Sequence, residues 1–283
     1  TCPPVPALRE PLYIKMHQVM YVFDVFPHLH GDCQFCMEAT LYFGAEVVGA
    51  PMVTEESPVA TWHETLRLEV LMLYQLPRET RLYLTLYGRK SGRDREALAW
   101  VNMQLFDFQG KLRVGEFQRF MWPAATHAPN PQGVCCENGK AGTVAAVYEI
   151  PPFHTPVVCV HPSALPPNPS TKWLTSTDGV VLPDFGMFDQ LVPLSPQIKN
   201  MLWVHRHSRA IMGNPTLLPK LLQSVDWTNP SSVREVHELL EKWAPLSPIN
   251  ALELLDSQYA DEQVRSAAIK WLQPLPDSQL ALF

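Results

Sequence analysis

Period-two alternation of apolar and polar residues governs the first half of the chain, and a helical period replaces it in the second. Leu12-Tyr-Ile-Lys-Met-His alternates, and Cys33-Gln-Phe-Cys-Met-Glu-Ala-Thr-Leu-Tyr-Phe extends the pattern. Further strand-like runs follow at 66–71, 81–87, 98–106, 116–122 and 143–150, spaced as hairpins would be. A series of strands with no intervening helical period predicts an antiparallel β-sandwich over 11–160. The apolar set Cys33, Phe35, Met37, Ala39, Leu41 and Phe43 is assigned to one face of its strand, and Cys36 to the other.

From 161 to 194 neither period survives. Pro166-Pro-Asn-Pro-Ser cannot propagate a ladder or a helix, and the segment is read as a proline-rich linker. Beyond it, helical periodicity predicts helices at 197–209, 217–225, 232–243, 248–258 and 261–272. Ser247-Pro248 and Asn229-Pro230 read as N-caps followed by proline at the first helical position. Closely spaced helices of this kind build an α-solenoid over 195–283. Residues 1–10 read as an N-terminal linker, and the apolar Leu280, Leu282 and Phe283 suggest an excerpt from a longer helical repeat.

Composition narrows the function classes. The 283 residues are 46% hydrophobic with 8 Trp and 12 Phe, enough for two real cores. A net charge of -6 argues against a nucleic-acid partner. No apolar run approaches a membrane span, Thr1 to Glu10 lacks a signal peptide's apolar centre, and six cysteines are too few for a disulfide scaffold. A cytoplasmic protein, peripheral at membranes, is expected.

Several blocks then resemble one family. Leu76-Pro-Arg-Glu-Thr-Arg-Leu-Tyr-Leu-Thr-Leu-Tyr-Gly and Ala99-Trp-Val-Asn-Met-Gln-Leu-Phe-Asp-Phe-Gln-Gly resemble central C2 strands of phosphoinositide 3-kinases. Trp62-His-Glu stands where that family usually has Trp-Asn/Asp-Glu, and Asn130-Pro-Gln-Gly resembles its Asn-Pro-x-Gly loop. Leu202-Trp-Val-His-Arg-His, Leu218-Pro-Lys-Leu-Leu-Gln-Ser-Val-Asp-Trp and Ala251-Leu-Glu-Leu-Leu-Asp-Ser-Gln-Tyr-Ala-Asp-Glu-Gln-Val-Arg-Ser follow in the order of the family's helical domain. The resemblance implies a C2-type sandwich followed by the start of the helical accessory domain. It favours class II over class I, because Pro193 and Pro196 stand where class IA members carry acidic residues that touch a regulatory subunit.

What the resemblance implies functionally is a non-catalytic targeting and scaffold portion of a lipid kinase. The parent would use ATP and magnesium to phosphorylate the inositol 3-hydroxyl, with no cofactor held in this portion. Expected partners are an anionic phosphoinositide membrane, an intramolecular kinase domain and a regulatory protein. The alternative is a non-enzymatic adaptor joining a C2 sandwich to a helical repeat.

Individual constellations are weighed against plainer readings. Asp184-Phe185-Gly186 spells a magnesium-binding signature, but no phosphate-covering loop, lysine or catalytic loop precedes it, so it reads as a linker turn. His28, His30, Cys33 and Cys36 have zinc-ligand chemistry, yet the two thiols fall on opposite strand faces. Cys135-Cys136 reads as structural. Asp24, Asp32 and Asp94 are too scattered for calcium. The concentrated positive feature is Arg89-Lys90-Ser-Gly-Arg93-Asp-Arg95, the candidate lipid-binding loop, set against Asp94 and Glu96.

Overall fold

The computed structural model describes residues 9–31, 33–133, 136–140, 142–159 and 194–276. The chain divides into two compact units, Thr1–Val160 and His161–Phe283. Asp184-Phe185-Gly186, expected to be a linker turn, lies outside the described residues, as do most of the expected linker and the C-terminal apolar residues.

The first unit is an antiparallel sandwich. Its strands are β1 (Pro11–Met20), β2 (Cys33–Phe43), β3 (Glu46–Val47), β4 (Met52–Val53), β5 (Thr61–Met72), β6 (Arg81–Lys90), β7 (Glu96–Gln104), β8 (Gly115–Phe120), β9 (Trp122–Pro123) and β10 (Ala145–Ile150). One sheet has the order β5-β1-β10-β8, and the other β3-β2-β6-β7-β9 with β4 paired to β2. A single helical turn, α1 (Val22–Val25), lies between β1 and β2.

Alternation explains which faces meet. Leu12, Ile14 and Met16 of β1, and Phe35, Met37, Ala39 and Leu41 of β2, are each no more than 1% exposed and fill the space between the sheets. Burying such side chains contributes about 1.5–3 kcal/mol each. The expected strand at 66–71 proves longer, starting at Thr61, and that at 98–106 runs instead from Glu96 to Gln104.

In β1 the alternation changes phase between Met16 and Val19, and the pairing shows why. Register shifts between Met16 and Gln18 against both neighbours: His17 is the extra, bulged residue against β10, whereas against β5 the extra residue lies on β5, between Thr61 and Glu64. Opposite His17, His63 has φ 53°, the left-handed conformation that Asn and Asp tolerate best.

A strap formed by 124–133 crosses the outer face of the second sheet. Trp100 Nε1 donates to His127 O at 2.8 Å, and Arg81 Nη1 to Gly133 O at 2.5 Å. Asn102 Nδ2 donates to Asn130 O at 3.4 Å. The strap and the neighbouring Tyr42 leave Tyr83 and Trp100, stacked with centroids 5.6 Å apart, almost fully buried.

The second unit is helical: α2 (Pro196–Val204), α3 (Arg209–Met212), α4 (Leu218–Leu222), α5 (Pro230–Lys242), α6 (Pro248–Glu253) and α7 (Glu262–Leu272). Ser195, Asn229, Ser247 and Asp261 accept hydrogen bonds from backbone amides of the following turn, with Pro at N1 after the first three. The expected helix at 197–209 is two, because it stops at Val204 and Ser208 caps a new start, accepting from Ile211 N. The expected 217–225 and 248–258 likewise shorten to α4 and α6. Leu221, Leu239, Trp243, Ala251 and Val264 meet in the core, with Leu252, Leu255 and Trp271 packed half-buried at its edge.

Candidate functional site

The hairpin joining β6 to β7 carries the four cations singled out from sequence. Its turn closes with Arg93 N donating to Lys90 O at 3.0 Å, and Gly92 at φ 74° supplies the left-handed residue that the turn needs. Cys33 pairs with Lys90, so the tip stands beside the α1 segment at one end of the sandwich.

The structure gives the four cations different roles. Arg89 Nη2 pairs with Glu56 Oε2 at 2.5 Å, both side chains about half exposed. Arg95 turns back onto the sheet: Nη2 pairs with Glu38 Oε2 at 3.1 Å, and the guanidinium lies 4.7 Å from the Tyr87 ring centroid. Lys90 Nζ donates to His28 O at 3.4 Å. Arg93 is exposed at the tip. Glu56 and Glu38 were missed by sequence reasoning because they come from elsewhere in the chain and only β-pairing brings them close.

Exposed pairs of the Arg89–Glu56 kind contribute about 0–1 kcal/mol, so a stronger anion competes for Arg89 at little cost. Arg95 is more firmly placed, since Glu38 is only 17% exposed on its side chain. Burial raises the Tyr87 hydroxyl above its ordinary pKa, reinforced by Glu38 and opposed by Arg95. The Cys36 thiol is also raised, again first by burial, with Arg95 opposing. Arg95 therefore anchors the hairpin, while Arg89, Lys90 and Arg93 face outward.

The other candidate groups do not assemble. Cys33 and Cys36 are both buried, whereas His28 and His30 are exposed, and the His30 ring packs 4.6 Å from that of Phe23. The carbonyl of Cys136 accepts from Trp122 Nε1 at 3.1 Å, while Cys135 and Asp32 lie outside the described residues. Among the described residues, no three or more His, Cys, Asp or Glu side chains form a metal-holding group, and no helix is long and apolar enough to cross a membrane.

Comparison with known proteins places both units. Residues 32–150 match the family model described as phosphoinositide 3-kinase C2, and residues 183–283 match the phosphoinositide 3-kinase family accessory domain (PIK domain). Phosphatidylinositol 3-kinase 3 of Dictyostelium discoideum is 29% identical over 269 residues, covering 88% of this chain and 15% of the relative. Phosphatidylinositol 3-kinase 1 of the same organism is 30% identical over 198 residues, covering 65% of the chain and 12% of the relative. The phosphatidylinositol 4-phosphate 3-kinase C2 domain-containing subunit alpha of Pongo abelii is 28% identical over 246 residues, covering 77% and 14%. The chain thus spans 12–15% of the length of these relatives. A C2 sandwich and accessory-domain helices, matched in this order along one chain, make it a portion of a protein of the phosphoinositide 3-kinase family.

Proposed function

We propose that this chain is the non-catalytic targeting and scaffold portion of an ATP-dependent phosphatidylinositol 3-kinase of class II type, working at the cytoplasmic face of membranes. The observation that carries the reading is the succession of C2 and accessory modules in one chain. The Leu254-Leu-Asp-Ser to Val264-Arg-Ser wording and Pro196 favour class II. In this reading the helices position a kinase domain, and the sandwich meets an anionic phosphoinositide bilayer. In this reading ATP and magnesium belong to the kinase domain.

The outward cations of the hairpin are the proposed membrane contact. Three cations at about 1 kcal/mol each near an anionic leaflet amount to about two orders of magnitude in partitioning. Arg95 acts by holding the hairpin rather than by touching lipid.

Sedimentation with vesicles of phosphatidylcholine, phosphatidylserine and a phosphoinositide tests this. The triple variant Arg89→Glu, Lys90→Glu and Arg93→Glu is expected to lose most vesicle binding while its melting stays put, and wild-type binding is expected to fade with salt. Undiminished binding by the triple variant would overturn the lipid role of the hairpin.

A further inference from the structure

His17 and His63 stand side by side on the four-stranded sheet, Nδ1 to Nδ1 at 3.4 Å, with ring centroids 5.6 Å apart. Two backbone irregularities create the pair. Between the partners Met16↔Glu64 and Gln18↔Thr61, one residue of β1 faces two of β5, so His17 stands opposite Trp62 and His63. His63 adopts φ 53°, a left-handed conformation found in only a few per cent of non-glycine residues, among which His, Asn and Asp are enriched. A bulge set against a left-handed histidine in the neighbouring strand is an uncommon way to present two imidazoles, and bulges recur where a side chain must be aimed.

The spacing has a chemical meaning. Zinc bound by two imidazole nitrogens at about 2.0–2.1 Å with tetrahedral angles requires the nitrogens to be about 3.3–3.4 Å apart. A square-planar ion of similar bond length requires only about 2.8 Å. The observed separation therefore suits a tetrahedral ion, for which imidazole is an ordinary ligand. Neighbouring charges are engaged elsewhere: Lys15 pairs with Glu149 at 3.0 Å, and Glu64 Oε2 accepts from Glu55 N at 2.9 Å.

We propose that His17 and His63 bind a zinc ion through their Nδ1 atoms, water or an incoming donor filling the other two tetrahedral positions. Each imidazole then carries its proton on Nε2, and the zinc takes the place of the proton that otherwise bridges the two Nδ1 atoms. The site is open: among the described residues no third ligating side chain joins the pair. It is also distinct from the hairpin at Arg89 to Arg95, and from the His28, His30, Cys33 and Cys36 set, which does not assemble.

The test is calorimetric titration of the metal-free 283-residue chain with zinc chloride, with histidine side-chain NMR recorded alongside. The expected result is one saturable zinc whose binding shifts the ring signals of His17 and His63. His17→Gln and His63→Asn are each expected to abolish that event. Asn is chosen because it keeps the left-handed backbone at position 63. The double variant His28→Gln, His30→Gln should keep it. Zinc should also raise the melting temperature of wild type but of neither single variant. If zinc leaves both wild-type ring signals unmoved, or if either single variant binds zinc as wild type does, the proposal fails. The NMR readout on wild type decides the matter even if a variant folds poorly in chelator.

Discussion

Replacing Glu235 by Gln should weaken the helical unit more than any surface change of similar size. Glu235 is 9% exposed on α5, and its carboxylate receives Arg206 Nη2 at 2.8 Å and His207 Nε2 at 2.6 Å. Arg206 is itself held in place, with its guanidinium 4.4 Å from the Trp203 ring centroid and a hydrogen bond to the Trp203 carbonyl. Its side chain is only 14% exposed, so removing the countercharge strands a cation away from water. Breaking a buried pair from one side costs about 3–5 kcal/mol, and the amide retains one acceptor, so about 3 kcal/mol is expected. For a unit of this size that is about 12 °C in melting temperature, read from the helical signal in circular dichroism. The double variant Arg206→Met, Glu235→Met removes both charges and should cost clearly less than the sum of its single changes. A loss under about 0.5 kcal/mol for Glu235→Gln, or strict additivity in the cycle, would refute the reasoning.

Trp243→Ala should cost about 3–5 kcal/mol, because the ring is 4% exposed in the core and its Nε1 donates to Pro215 O at 3.2 Å. Arg234→Ala on the same helix should cost about 0.5 kcal/mol or less, its pair with Glu238 being an exposed i,i+4 contact; comparable losses in urea unfolding would show the helical phase to be wrong. Burial pushes the Cys159 thiol up from 9.0 to about 11. The unfolded chain therefore ionises first, and this stability is present below pH 9 and lost as pH rises through 11, by at most about 3 kcal/mol. Cys159→Ala should flatten that alkaline loss in urea midpoints, and an unchanged pH slope would rule the thiol out as its source. Gly133→Ala should destabilise the sandwich by about 1 kcal/mol, since the added methyl would sit 3.2 Å from Asn130 O; an unchanged thermal melt would contradict the close approach.

Much of the sandwich was legible because the face turned to the core is consistently apolar, so composition alternates with the pleat. Cys33 to Phe43 shows this best, every second residue being no more than 4% exposed. Helix starts were equally readable, since Ser247-Pro248 and Asn229-Pro230 carry their own capping chemistry. The break after Val204 was not, because His205 to His207 continues the polarity of a helix face and only the Ser208 cap reveals the restart. The hairpin cations were visible as a run, whereas their division into anchor and outward groups depends on Glu38 and Glu56, which no local pattern connects to them. The His17 bulge did leave a trace, the slip in apolar phase from Met16 to Val19. The resemblance of Trp62-His63-Glu64 to a Trp-Asn/Asp-Glu pattern pointed to the same place, Asn and Asp being left-handed formers.

The strap over the second sheet is fastened from below, by side chains of Arg81, Trp100 and Asn102 reaching for the carbonyls of Gly133, His127 and Asn130. Every residue has a carbonyl, so at 127, 130 and 133 the strap is fastened through its backbone, whatever side chains stand there. Such a segment is free to drift in sequence during divergence, constrained mainly where its backbone doubles back at Asn130 to Gly133. The Asn130-Pro-Gln-Gly stretch is thus the part of the strap whose residue types matter most, Gly133 lying close against Asn130 O. Side chains at 124, 125, 128 and 129 can therefore change without loosening the aromatic pair beneath, which makes the strap a natural place to acquire different contacts on one unchanged sheet.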